Sequence, residues 1–88
     1  MPRQNKNRRG GFVKVDNTRK HLKASDLRSR EAPQGSFRVI SITDNKDVWL
    51  EGTHSTFLEA KKIADDTCGG GVVCYVHGNG PRVLYIAR

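Results

Sequence analysis

Long apolar runs are missing from this sequence: the longest, GVVCYV, falls far short of the roughly 18 residues that a membrane-spanning helix needs. No apolar h-region follows the basic N-terminus, so a secretory signal is not expected and a reducing, cytoplasmic setting is the default. Cysteine is scarce. The two present, Cys68 and Cys74, are expected to be thiols, and the lack of a Cys-x-x-Cys pair argues against a thioredoxin-type redox role. The chain is also short. A domain of 88 residues buries only about 60% of the surface its unfolded chain exposes, which leaves no room for a large internal active-site cavity.

Acidic residues are scarce in one part of the chain. Residues 1–36 hold ten basic groups (Arg3, Lys6, Arg8, Arg9, Lys14, Arg19, Lys20, Lys23, Arg28, Arg30) against three acids (Asp16, Asp26, Glu31), whereas residues 37–88 hold six of each. The whole net charge of +7 therefore sits in the N-terminal part. That part is also poor in large apolar side chains, with only Phe12, Val13, Val15, Leu22 and Leu27, too few to offset the entropy of ordering it in isolation. The expected organisation is a basic, largely disordered arm and linker over 1–36, ending in EAPQGS, followed by a small domain over 37–88. Within the arm, GGFVKV reads as a short strand and SDLRSREA as one or two helical turns starting at Ser25.

From Phe37 onward the pattern is that of an ordered fold. FRVISIT and DVWLEGT are strands separated by DNKD, whose Asp and Asn side chains favour a turn. TFLEAKKIADDT brings Phe57, Ala60, Ala64 and Thr67 onto one helical face with Ile63 beside them, and Thr56 with Glu59 matches the S/T-x-x-E capping box. Glycines 69–71 end that helix. VVCYV and RVLYIA are two further strands joined through HGNGP. The fold class is thus α+β, a β-β-α-β-β domain with a mainly antiparallel sheet and one helix on one face. Alternation divides the strands into two sets. Ile40, Ile42, Val48, Leu50, Val72, Cys74, Val76, Leu84 and Ile86 form an aliphatic set, which the helix is expected to cover. Phe37, Val39, Ser41, Thr43, Trp49, Glu51, Val73, Tyr75, His77, Val83 and Tyr85 form an aromatic and polar set, expected to be open as a contact surface.

Chemistry-bearing motifs are few. Cys68, Cys74 and His77, with His54 as a fourth, are the obvious metal candidates, but Cys-x5-Cys departs from zinc-ligand spacing, and Cys74 and His77, three apart on one strand, point to opposite faces. Neither metal nor cofactor is expected. The glycine clusters follow a helix or lie between strands, whereas a phosphate-cradling loop lies between a strand and a helix start. No nucleophile elbow, triad order or paired-carboxylate motif is present, and the protein is not expected to be an enzyme.

Clustered Arg and Lys suit the neutralisation of phosphates, and aromatic side chains on an open sheet suit stacking on unpaired bases. The expected nucleic-acid-binding set is therefore Arg3, Lys6, Arg8, Arg9, Lys14, Arg19, Lys20 and Lys23 with Trp49, Tyr75 and Tyr85, for DNA or RNA. The alternative is a protein-interaction or homodimerisation module, monomer or weak homodimer, in which the same three aromatics form the interface.

The combination of Trp49, Glu59-Ala60, Ala64, Val76-His77-Gly78 and Gly80 resembles a group of small bacterial domains that share a tryptophan strand, a Glu-Ala helix start and a strand ending in His-Gly before a glycine turn. The resemblance spans residues 37–88 and implies the β-β-α-β-β fold. It implies no activity, since that group has no assigned function, and it does not extend to the basic arm.

Overall fold

The computed structural model describes residues 18–88. The proposed GGFVKV strand and Arg3, Lys6, Arg8, Arg9 and Lys14 lie outside the described residues. The elements run β1 (Lys20–Leu22), a short 3-10 helix (Arg28–Arg30), β2 (Phe37–Ile42), β3 (Val48–His54), α1 (Phe57–Thr67), β4 (Val73–His77) and β5 (Val83–Ala87). The five strands form one antiparallel sheet in the order β1-β3-β2-β4-β5, with α1 against one face. This is the α+β arrangement expected from the sequence, and it includes residues N-terminal to Phe37. Within the segment 18–36, KHL adds a fifth strand at the sheet edge, and Ala32 and Ser36 are buried.

Local chemistry accounts for the turns. Between β2 and β3, Thr43 N–H donates to Asp47 O at 3.0 Å and Lys46 N–H to Thr43 O at 2.9 Å, with Lys46 in the left-handed region at φ 68°. Thr56 caps α1, its hydroxyl oxygen accepting Glu59 N–H at 3.2 Å. The return half of the capping box takes another form, because the Glu59 carboxylate accepts the hydroxyls of Thr56 at 3.1 Å and Ser55 at 3.5 Å. After the helix stops, Gly69 and Val72 exchange backbone hydrogen bonds of 2.9 and 3.1 Å around Gly70 and Gly71. Both central residues have positive φ, 60° and 90°, a conformation open to glycine at little cost. A Cβ on Gly71 would also run into the Asp44 carboxylate.

The assignment of faces is where the structure departs from the sequence-based expectation. The helix covers Phe37, Val39, Cys74, Val76, Tyr85 and Ala87, which pack with Ala60, Ala64, Phe57 and Ile63. Ile40, Val48 and Leu50 lie on the other face, with Leu22, Ile42 and Tyr75. The reason is register. Ile40 pairs with Tyr75 and Ser41 with Cys74, so the odd-numbered face of β2 joins the even-numbered face of β4. Irregularities between Val39 and Ile40 against β3, and between Val76 and His77 against β5, shift the neighbouring strands further. Alternation divided β2, β3 and β4 correctly, but in β5 the irregularity puts Val83 on the second face with His77 and Tyr85 on the helix side with Val76. The expected matching between strands was wrong, as was the idea of a single aliphatic face beneath the helix.

The second face has its own partial cover. The Arg38 Nη1 donates to the carbonyls of Ser29 at 2.9 Å and Glu31 at 2.8 Å, while its Nε donates to Thr53 Oγ1 at 3.2 Å. Ala32 N–H donates to Gly78 O at 2.9 Å, and the Asn79 amide donates to Ala32 O at 3.2 Å. These bonds hold the 3-10 segment across one end of the sheet. Replacing Thr56 with alanine removes the helix cap and is expected to cost about 0.5–2 kcal/mol, read as a lower urea midpoint at unchanged slope.

Candidate nucleic-acid interface

The root of the arm is fixed to the sheet through Arg19. Its Nε donates to both Glu51 carboxylate oxygens, at 2.9 and 3.1 Å, and its guanidinium carbon lies 3.9 Å from the centre of the Trp49 ring. Glu51 in turn accepts a short hydrogen bond from the Ser41 hydroxyl. His21 meets the same ring edge-on, with centroids 4.8 Å apart, and its Nε2 lies 3.6 Å from Asp47 Oδ1. A guanidinium stacked on indole at a partly exposed site contributes about 0.5–1 kcal/mol, enough to bias a three-residue edge strand towards the docked position. Trp49 is therefore a structural partner of the arm, with Arg19 over its ring.

The three aromatics do not share a face, which corrects the expectation of one aromatic platform. Trp49 pairs with Ser41, which pairs with Cys74, and so it lies on the helix side of the sheet. Tyr85 is on that side too, but it tethers the helix: its hydroxyl donates to Asp65 Oδ1 at 2.6 Å, Phe57 meets its ring at 6.3 Å, and Lys61 Nζ sits 5.0 Å from the ring centre. The Tyr85 hydroxyl holds the Asp65 carboxyl below its ordinary range, and Asp65 raises both Tyr85 and Lys61. Only Tyr75 is on the second face, because it pairs with Ile40. Among the basic candidates, Lys20 pairs with Leu50 at the β1 edge and Lys23 is exposed just beyond it.

Tyr75 lines a groove of about 320 Å³ together with His77, Ile42, Val83, Pro81, Leu27, Arg30 and Glu31. The groove forms because the 3-10 segment bridges one end of the second face and leaves a channel between itself and β4–β5. Two polar atoms on its lining residues are buried without a hydrogen-bond partner, Arg30 Nε and His77 Nδ1. The rest of the Arg30 head is anchored, with Nη2 donating to Ala24 O at 2.8 Å. Burial pushes the His77 pKa below the ordinary 6.5, the Arg30 charge pushes it the same way, and Glu31 opposes both. Arg30, Glu31 and Leu27 were not singled out in the sequence, where they read as ordinary arm residues. The sequence carried no signal for them: the run EAPQGS reads as a linker, and the burial of Ala32 within it is seen only in the structure.

The two cysteines differ in setting. Cys74 lies fully buried beneath the helix, and desolvation raises its thiol to about 11. The Cys68 thiol contacts Asp65 O at 3.4 Å. Cys74 and His77 do project to opposite faces, and among the described residues no three His, Cys, Asp or Glu side chains are grouped to hold a metal ion. No helix among the described residues is long and apolar enough to cross a membrane. No family model, curated protein or solved structure matches the chain significantly.

The depressed His77 pKa makes stability depend on pH with a definite sign. The unfolded chain binds the proton more tightly than the fold does, so stability is fully present above the unfolded pKa near 6.5 and is lost as pH falls from there through the lower folded value. An NMR titration should place His77 below 6.5, and His77→Gln should flatten the loss of stability in that window; a titration at or above 6.5 would contradict this. Thiol labelling supplies a second check. Cys68 should react first with a disulfide reagent, and Cys74 only on unfolding.

Proposed function

We propose that the chain is a non-catalytic nucleic-acid-binding module in which the basic arm supplies the affinity and the folded body fixes the arm's root. The observation that carries this reading is the segregation of charge: all of the +7 lies in residues 1–36, and residues 37–88 are neutral. Several cations of the described residues already have partners, since Arg19 at the arm's root bonds Glu51, Arg38 holds Ser29 and Glu31, and Lys61 bonds Asp65. Arg3, Lys6, Arg8, Arg9 and Lys14 are the charges assigned to phosphates, with Lys23, exposed just beyond β1, as a further contact. Contacts of this kind release counterions and carry no sequence information. A second contact falls to Tyr75, where an unstacked base can lie against the ring at the mouth of the groove. That favours a single-stranded partner.

Anisotropy titrations of the full chain with labelled single- and double-stranded oligonucleotides test the proposal. With five phosphate contacts from Arg3, Lys6, Arg8, Arg9 and Lys14, log K should fall against log salt with a slope of about −3.5 for a single strand and −4.5 for a duplex. Replacing those five residues with glutamine should remove most of the binding while leaving the circular dichroism unchanged. Absence of binding at low salt, or binding indifferent to the five substitutions, would refute the reading. Tyr75→Ala should weaken single-strand binding more than duplex binding.

A further inference from the structure

The two edges of the sheet are built differently. β1 is three residues long, carries Lys20 and His21, and is flanked by Arg19 and Lys23. Shortness and charge are the usual means by which an edge strand is kept from pairing with another chain. β5, at the opposite edge, pairs only with β4 and reads VLYIA, with neither charge nor proline. Five large hydrophobic side chains are exposed among the described residues, and three of them belong to this strand: Val83 at 40%, Leu84 at 48% and Ile86 at 45%. The strand is also held in place for pairing, because Tyr85 at its centre is tied to Asp65 and Phe57 of the helix.

We propose that β5 pairs antiparallel with β5 of a second copy of this chain, about a twofold axis near Tyr85, joining two five-stranded sheets into one. The strand's own sequence argues for this occupant. Full antiparallel overlap sets Leu84 against Ile86 of the second copy, so the two exposed side chains nearest the axis find apolar partners on reversal, while Val83 and Ala87, which the irregularity beside His77 places on opposite faces, take no part. The contact is isologous and closes on itself, unlike a head-to-tail contact, which would continue into a filament. Its size sets its strength. A strand of five residues is about 17 Å long, and a contact one strand wide and that long falls short of the roughly 1,200 Å² typical of a stable interface. The dimer is thus weak and dependent on concentration.

Charge gives the dimer a signature of its own. Overlap brings Arg82 of one strand beside Arg88 of the other at both ends, so salt should screen a repulsion and strengthen dimerisation. Nucleic-acid binding by the arm should weaken under the same change. The two processes are separable, and the arm substitutions should leave dimerisation untouched.

Sedimentation equilibrium of the full chain over a wide concentration range, at low and high salt, tests the proposal. A reversible monomer–dimer equilibrium strengthened by salt is expected, and Leu84→Lys or Ile86→Lys should weaken it about tenfold or more. Because a lysine variant can fail for reasons of folding, NMR of the unaltered chain supplies the second readout: concentration-dependent shifts and new amide protection confined to β5. A monomer at every concentration, open-ended growth beyond a dimer, or shifts that map to another surface would each overturn the proposal.

Discussion

The pairing of β2 with β4 at the centre of the sheet is the constraint on which the other arrangements rest. These strands come from opposite sides of the helix in sequence, and their register decides which side chains meet beneath it. With Ser41 opposite Cys74 and Val39 opposite Val76, the paired residues beneath the middle of α1 are small or β-branched, and the larger Phe37 and Tyr85 meet the helix at Phe57. Ala60 and Ala64 are correspondingly small, so the helix backbone can approach the sheet closely. A slip of one residue between them would turn β2 over relative to β4, setting Ile40 opposite Val76 beneath the helix and Ser41 opposite Tyr75 on the second face. The cost would be misfit on both faces, since Ile40 and Val39 are both fully buried as the sheet stands.

A second dependence runs through Arg38. Its guanidinium satisfies two carbonyls of the 3-10 segment and a threonine hydroxyl on β3, so one side chain binds the segment that crosses the sheet to the strands below it. That bridge creates the groove and buries His77. Arg30 Nε and His77 Nδ1, both on side chains that line the groove, are buried without hydrogen-bond partners. Such atoms are costly. Their neighbourhood is therefore where the second face has least stability to spare.

Much of this architecture was legible in the primary structure, for identifiable reasons. The helix announced itself through Phe57, Ala60, Ala64 and the Thr56 cap, and the turns through their glycines and the Asp-Asn-Lys-Asp cluster, all signals that act over a few residues. What alternation could not supply was the matching of faces between strands distant in sequence, because a shift of one residue leaves each strand's own pattern unchanged. Nor could it supply the irregularity in β5 that turns Val83 and Tyr85 to opposite faces. Hence Trp49, Tyr75 and Tyr85 looked like one platform and are three separate parts: a partner for Arg19, a wall of the groove and a tether for the helix. The segment 18–36 was read from its poverty in apolar residues, yet it is held by backbone hydrogen bonds and one arginine, and composition does not reveal bonds of that kind.

The strand order also has a geometric consequence. β1, where the basic arm begins, and β5 lie at opposite edges of the sheet. Two sheets joined through β5 would carry their arm roots at the two outer margins, nine strand spacings of about 4.8 Å apart, or about 43 Å. Two cationic tethers at that separation on one rigid body form a bivalent grip, in which the first contact raises the effective concentration of the second. A short polyanion could occupy only one arm. A long or folded one could be held at two points, so selection by length would arise from the spacing of the arms with no recognition of sequence.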